Sequence, residues 1–155
     1  MSLMNKKRVA IVFSYMVVFL WMAVIFYLSG QVAADSKNLS TGITQWIMNI
    51  VDEVVWFSID IESFHHIIRK NAHFIAYLLL GVALIHAMKR SGVYGFRGYA
   101  IALFICIVYA ISDEIHQLFV PGRSGELRDV FIDSTGAIIG ISVFLGLGKM
   151  VKRKE

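Results

Sequence analysis

The stretch "ISDEIHQLFVPGRSGELRD", residues 111–129, decides the fold because it joins two long apolar runs through a short and strongly polar segment. Acids, arginines, a histidine and a glutamine crowd into it, although the flanking runs are almost entirely apolar. Pro121 and Gly122 mark a turn between the runs. A helix that crosses a bilayer needs about 20 mostly apolar residues. We therefore predict two membrane-spanning helices that meet at this turn and place polar groups near their ends.

The composition excludes a soluble protein. Of 155 residues, 57% are hydrophobic and 17% are charged, whereas a soluble domain is about half apolar and a quarter charged. A single cysteine, Cys106, cannot form an internal disulfide. The basic residues cluster at the ends of apolar runs, which is typical of membrane topology and not of a nucleic-acid-binding surface. We expect one membrane domain over residues 1–155 and no nucleic-acid partner.

Four apolar runs are long enough to cross a bilayer. The predicted fold is therefore an all-α membrane protein, a bundle of four transmembrane helices. The long outer loop, residues 30–70, contains apolar residues at helical spacing between positions 43 and 54, which predicts an amphipathic helix. A second short helix is expected to begin near Asp60 and to run into span two. The predicted spans are residues 9–29, 71–88, 99–120 and 130–148.

The lysines and arginines predict the orientation of the bundle. An even number of spans puts both termini on one side, and ten of the fifteen basic residues fall on that side. By the positive-inside rule, both termini are then cytoplasmic in a multi-pass protein of the bacterial plasma membrane. The ten residues are Lys6, Lys7, Arg8, Lys89, Arg90, Arg97, Lys149, Lys152, Arg153 and Lys154.

Polar residues of three spans are expected at one depth, in the outer half of the bilayer. With a rise of 1.5 Å per residue, Asp113 lies roughly 12 Å below the Pro121 turn, and Asp133 roughly 6 Å below the same surface. Spacings of three and four residues put the polar groups of each helix on one face. We predict that they form one ligand-binding cluster: Arg69, Lys70, His73, Tyr77, Asp113, Glu114, His116, Gln117, Arg123, Arg128, Asp129 and Asp133.

Two interpretations of this cluster are open. Buried ion pairs could hold the helices in register, but such pairs are a poor source of stability. Ionisable groups inside a membrane more often mark a functional site. A site of this kind could bind an anionic head group through Arg69, Arg123 and Arg128. It could instead be catalytic, with Asp113, Glu114 and His116 as acid, base or metal ligands.

No cofactor is predicted from these residues. The segment "DEIHQ" lacks the H-E-x-x-H pattern of zinc hydrolases, and no other spacing is diagnostic of a metal site. Gly136 and Gly140 form a G-x-x-x-G face on span four, which could also pack two copies of the chain together as a homo-oligomer.

Two segments resemble the VanZ-like family of integral membrane proteins: "RKNAHFIAYLLLG", residues 69–81, and "SDEIHQLFVPGRSGELRDVFIDSTGAIIG", residues 112–140. The resemblance covers spans two to four, while span one and residues 30–60 match only in hydropathy. Asp133 stands where the family pattern more often has asparagine. The matching residues are Arg69, Lys70, His73, Tyr77, Asp113, Glu114, His116, Gln117, Phe119, Gly122, Arg123, Asp129, Asp133, Gly136 and Gly140.

The resemblance implies low-level tolerance of teicoplanin-type glycopeptides in Gram-positive bacteria. These drugs carry a lipid tail and act at the outer leaflet, where the polar cluster is expected to open. The expected partners are therefore membrane lipid and an amphiphile, which could be the drug, a phospholipid or a lipid-linked wall precursor.

Overall fold

A computed structural model describes residues 3–31 and 61–152 of the chain. Within these ranges the structure is helical apart from short connections, and each helix contains a segment long and apolar enough to cross a membrane. The prediction of an all-α protein with four spans is confirmed. The helices are α1 (Leu3–Ser29), α2 (Ile61–Arg90), α3 (Gly95–Gln117) and α4 (Leu127–Lys152).

The helix α2 is longer than its membrane-spanning part. It begins at Ile61, and its apolar span covers Arg69–Arg90. The expected short helix near Asp60 therefore does continue into span two without a break. The amphipathic helix predicted for the outer loop lies outside the described residues.

Successive helices run in opposite directions, and α2 packs against all three others, most extensively against α4. The core lies along α2, where Tyr77, Leu80 and Leu84 are buried. Side chains attach α1 to this core: the Trp21 indole donates a hydrogen bond to the Ala76 carbonyl at 2.9 Å, and Tyr109 donates one to a carbonyl of α1. We call the end of the bundle near Ser29, Gln117 and Leu127 the cluster end, and the opposite end the termini end.

Glycines make both described turns tight. At the termini end, Gly92 has a φ of 84° and follows α2, with the Val93 N–H bonded to the Met88 carbonyl. This pattern is a helix C-cap that needs a left-handed residue. At the cluster end, the Arg123 N–H bonds to the Val120 carbonyl around Pro121 and Gly122, whose φ is 77°. Proline followed by a left-handed glycine forms a type II turn.

The helix α3 ends at Gln117, three residues before the predicted end of span three. The next three N–H groups bond to carbonyls three residues back, so the chain tightens into turns over residues 118–120. Pro121 explains the early end, because proline disfavours helical backbone in the residue before it. The polar groups of α3 therefore lie closer to the end of their helix than the sequence indicated.

Two glycines let α4 lie against the backbone of α2. A Cβ atom at Gly136 would stand 2.4 Å from the Phe74 carbonyl oxygen, and one at Gly140 would stand 2.2 Å from that of Leu78. Small residues at such positions allow close helix packing in membranes. The G-x-x-x-G face therefore packs on α2 of the same chain.

Replacing either glycine should loosen this contact. We expect Gly136→Ala and Gly140→Ala to lower the free energy of unfolding by about 1–3 kcal/mol, the usual cost of overpacking. Gly146→Ala is the matched control, because a Cβ there meets no atom within 4 Å. Thermal unfolding in detergent measures the effect. Equal stability of Gly140→Ala and Gly146→Ala would contradict the close contact.

Candidate functional site

A narrow polar cleft opens at the cluster end between α2, α3 and α4. Its cavity volume is about 10 Å³, close to the ~10–15 Å³ that one water molecule needs. It therefore has room for one water-sized polar group and not for a whole amphiphile. The lining residues are Arg69, Lys70, His73, Glu114, Gln117, Asp129, Ile132 and Asp133.

Lys70 joins α2 to the start of α4. Its ammonium group lies 2.8 Å from a carboxylate oxygen of Asp129 and 3.3 Å from one of Glu126. Asp129 is in the first turn of α4, where a negative charge is also favoured by the helix dipole. These three side chains form an ion-pair network whose evident role is to hold two helices together.

One helical turn deeper, His73 lies between two buried acids. Its Nδ1 atom is 4.0 Å from Asp113 Oδ2 and 3.9 Å from Asp133 Oδ2, too far for hydrogen bonds. Asp113 is 1% exposed and Asp133 is fully buried. Among the described residues, neither oxygen of Asp133 has a hydrogen-bond donor, nor does Oδ1 of Asp113. We call Asp113, His73 and Asp133 the acid–histidine cluster.

Tyr77 lies one turn below His73 and is fully buried. Its ring packs against that of Tyr109 of α3 at 6.1 Å between centroids. The Tyr77 hydroxyl has no hydrogen-bond partner within the described part of the chain. Leaving buried polar atoms unpaired costs about 1–3 kcal/mol each, so the bundle bears a cost here that a purely cohesive cluster would avoid.

Glu114 holds the turn between α3 and α4 in place. Its carboxylate accepts a hydrogen bond from the Glu126 backbone N–H at 2.8 Å. Gly125 lies so close to α3 that an added Cβ would stand 2.7 Å from the Glu114 carbonyl oxygen. Gln117 is within 3.4 Å of Glu114 Oε1 and of Asp113 Oδ2, and it links the turn to the deeper cluster.

Arg123 is directed at the end of α1 and not into the cleft. Its Nε donates to the Gln31 carbonyl at 2.9 Å, and its Nη2 to the Leu28 carbonyl at 3.5 Å. A cation at the C-terminal end of a helix satisfies free carbonyls and is favoured by the dipole. Partial burial, with Arg69 nearby, lowers the pKa of Arg123 from its usual value, although a guanidinium stays protonated in proteins.

The cleft brings together most of the predicted ligand residues on one side of the bundle. Three predicted residues lie elsewhere. Arg123 contacts α1 as described, Arg128 is exposed, and the ring of His116 stacks on that of Phe26 at 4.0 Å between centroids. The histidine beside the paired acids is therefore His73.

Two residues outside the predicted set contribute to the site. Glu126 forms an ion pair with Lys70, as Asp129 does. In the sequence, its position just before the apolar run of α4 could have indicated this contact. Ser29 is fully buried at the end of α1 and neighbours Asp113. In the sequence, Ser29 is a single hydroxyl-bearing residue at the end of span one, and this position does not distinguish a buried site residue from a surface residue.

The described residues contain no group of three or more histidine, cysteine or acidic side chains arranged to hold a metal ion. The acid–histidine cluster instead provides oxygen atoms that can accept hydrogen bonds. Unpaired carboxylate oxygens can accept hydrogen bonds from an ammonium group or take up a proton. Of the two acids in this cluster, Asp133 lines the cleft, so a small cationic group would reach it before Asp113.

Substituting Arg123 should weaken the attachment of α1 to the bundle. Hydrogen bonds to charged groups contribute about 1.5–3 kcal/mol, so Arg123→Ala is expected to lower the unfolding temperature by several degrees. Arg128→Ala removes the same charge from an exposed position in the next helix and should leave stability nearly unchanged. Thermal unfolding of both variants in detergent makes the comparison. A similar loss in both would contradict the assigned contact.

Comparison with models of known protein families identifies the family of this chain. The model of the VanZ/LLP1 family matches residues 13–149, a range that contains the cleft, the acid–histidine cluster and most of all four helices. Searches among curated proteins and among solved structures gave no significant match. The chain is a multi-pass helical membrane protein that belongs to the VanZ/LLP1 family.

Proposed function

We propose that this protein binds the polar head of an amphiphile in the cleft and thereby gives low-level tolerance to teicoplanin-type glycopeptides. The observation that carries the proposal is the pair of buried acids, Asp113 and Asp133: three of their four carboxylate oxygens lack donors among the described residues. Ionisable groups held at such cost inside a membrane protein indicate function. The tolerance phenotype rests on the family, and the binding site rests on the geometry.

The charges favour a head group that carries an ammonium. Among the described residues, three acids and two bases line the cleft, so an anion alone meets net repulsion if all are ionised. Lys70 is already paired with Asp129 and Glu126. An ammonium group has three donors and suits the unpaired oxygens of Asp133. The acids are Glu114, Asp129 and Asp133, and the bases are Arg69 and Lys70.

Arg69 is the base best placed to hold an anionic part of the same head group. It lines the cleft at the start of the second span. Guanidinium groups bind phosphate and carboxylate in a bidentate manner. A head group with both charges would therefore lie between Arg69 and Asp133, with its tail among the surrounding lipids. The small volume agrees with this arrangement, because only the ammonium group has to enter.

The ligand could be the drug, a phospholipid or a lipid-linked wall precursor. All three are amphiphiles of the outer leaflet, and the distribution of basic residues predicts that the cluster end faces the cell exterior. Binding the drug would remove it from its target, whereas binding a lipid would change the surface on which the drug acts.

A second candidate function is an intramembrane enzyme acting on a lipid-linked substrate. The position of His73 within 4.0 Å of Asp113 and Asp133 favours it, because histidine is the most frequent general base and catalytic hydrogen bonds are often long until substrate binds. Of the residues that we expected to be catalytic, Asp113 belongs to this cluster. Glu114 bonds the turn and His116 stacks on α1. Mass spectrometry of lipids and wall precursors separates the two functions: a changed covalent species supports the enzyme.

Isosteric substitution of the buried acid tests the proposed binding. Asp133→Leu keeps a similar shape but removes the charge and both acceptor oxygens, so it should weaken binding about tenfold or more and abolish tolerance. Arg69→Gln should act in the same direction. Arg97→Gln, at the exposed termini end, is the matched control and should keep full tolerance. The measurements are the inhibitory concentration of a teicoplanin-type drug and membrane abundance.

The outcome depends on comparing tolerance with abundance. Loss of tolerance at normal abundance supports a binding role for Asp133. If tolerance falls only in step with the amount of protein, the acids serve the fold and the proposal is wrong.

A further inference from the structure

A second groove lies at the termini end, between α1 and α2, on the side of the bundle away from the acid–histidine cluster. Its volume is about 390 Å³. The floor is mainly apolar and includes Val9 and Phe13, which are 56% and 62% exposed. The groove is lined by Lys6, Val9, Ala10, Phe13, Ser14, His86 and Arg90.

The rim of this groove is basic. Lys6 lies near the start of α1, and Arg90 is the last residue of α2. The Arg90 Nε donates to His86 Nε2 at 3.0 Å, which orients the guanidinium and uses one of its five donors. Lys89 is directed elsewhere, over the ring of Phe144 at 4.8 Å. Two cations therefore stand at the mouth of an apolar groove.

Among the described residues, no acid balances these cations. The groove lining contains no acidic residue, and within residues 3–31 and 61–152 every acid lies toward the cluster end. A basic mouth above an apolar floor is complementary to a molecule with an anionic head and a hydrocarbon tail. Basic pockets between transmembrane helices bind anionic lipid head groups in this way.

We propose that the groove binds an anionic phospholipid of the leaflet at the termini end. The phosphate lies between Lys6 and Arg90, and one acyl chain runs along Val9 and Phe13. From Lys6 to Phe13 the helix rises roughly 10 Å, which is long enough to support the upper part of an acyl chain. A second copy of the chain is a poorer occupant, because its own basic termini would meet those of the first.

Lipid retention tests this site in the full-length protein. The protein is purified in a neutral detergent, mixed with phosphatidylglycerol or phosphatidylcholine, and examined by native mass spectrometry. We expect phosphatidylglycerol to remain bound in preference to phosphatidylcholine. The variant Lys6→Gln/Arg90→Gln should lose this preference, with the phosphatidylglycerol adduct reduced about tenfold or more.

The matched control is Lys7→Gln/Arg97→Gln. It removes two positive charges from exposed positions at the same end but outside the groove, and it should keep the preference. A third variant, Lys6→Arg/Arg90→Lys, preserves both charges and should also keep it. The unfolding temperature of each protein is also measured without lipid. Together with the charge-preserving variant, it separates loss of lipid binding from loss of folding.

Three results would overturn the proposal. The first is an equal loss of the phosphatidylglycerol adduct in the groove variant and the control. The second is no preference for phosphatidylglycerol in the unsubstituted protein. The third is a dimer signal that disappears in the groove variant. None of them bears on the cleft at the cluster end, which contains neither Lys6 nor Arg90.

Discussion

Two glycines on α4 determine how close that helix can lie to α2, and the polar cluster depends on this distance. The backbone contacts are at Gly136 with Phe74 and at Gly140 with Leu78. Phe74 follows His73 in the chain, and Gly136 lies one turn after Asp133. The same close approach therefore brings the imidazole of one helix to the carboxylate of the other. With bulkier residues at these positions the helices would stand further apart, and the buried acid would have no imidazole near it.

The polar contacts at the cluster end are of two kinds. The ion pairs of Lys70 and the hydrogen bonds of Arg123 satisfy charges and attach one helix to another. The acid–histidine cluster satisfies its charges poorly, although it is more deeply buried. Proteins retain costly buried polar groups mainly where function needs them. This contrast within one cleft is the physical reason for distinguishing contacts that hold the helices together from the proposed binding site.

Much of the fold could be predicted because a membrane imposes simple rules. Length and apolarity located all four spans, and helical spacing placed Lys70, His73 and Asp133 on facing surfaces. The end of α3 was misplaced by three residues, since the influence of Pro121 on the preceding turns was not taken into account. The amphipathic helix of the outer loop falls outside the described residues and stays a prediction.

The partners of individual side chains were harder to predict, because they depend on how helices distant in sequence approach each other. His116 and His73 look equally suited to the acids in the sequence, yet His116 stacks on Phe26 of α1. Arg123 was expected in the cleft, but the turn at Gly122 directs it toward Leu28. Sequence spacing identifies the face of a helix, and only the packing identifies the neighbour.

The central claim is that Asp133 is kept for binding and does not stabilise the bundle. The most direct measurement is the unfolding temperature of Asp133→Leu, which replaces the buried acid with an apolar side chain of similar shape. Because the oxygens of Asp133 have no donors among the described residues, this change should leave the unfolding temperature equal or higher. A temperature lower by several degrees would show that the acid holds the helices together and would contradict the account.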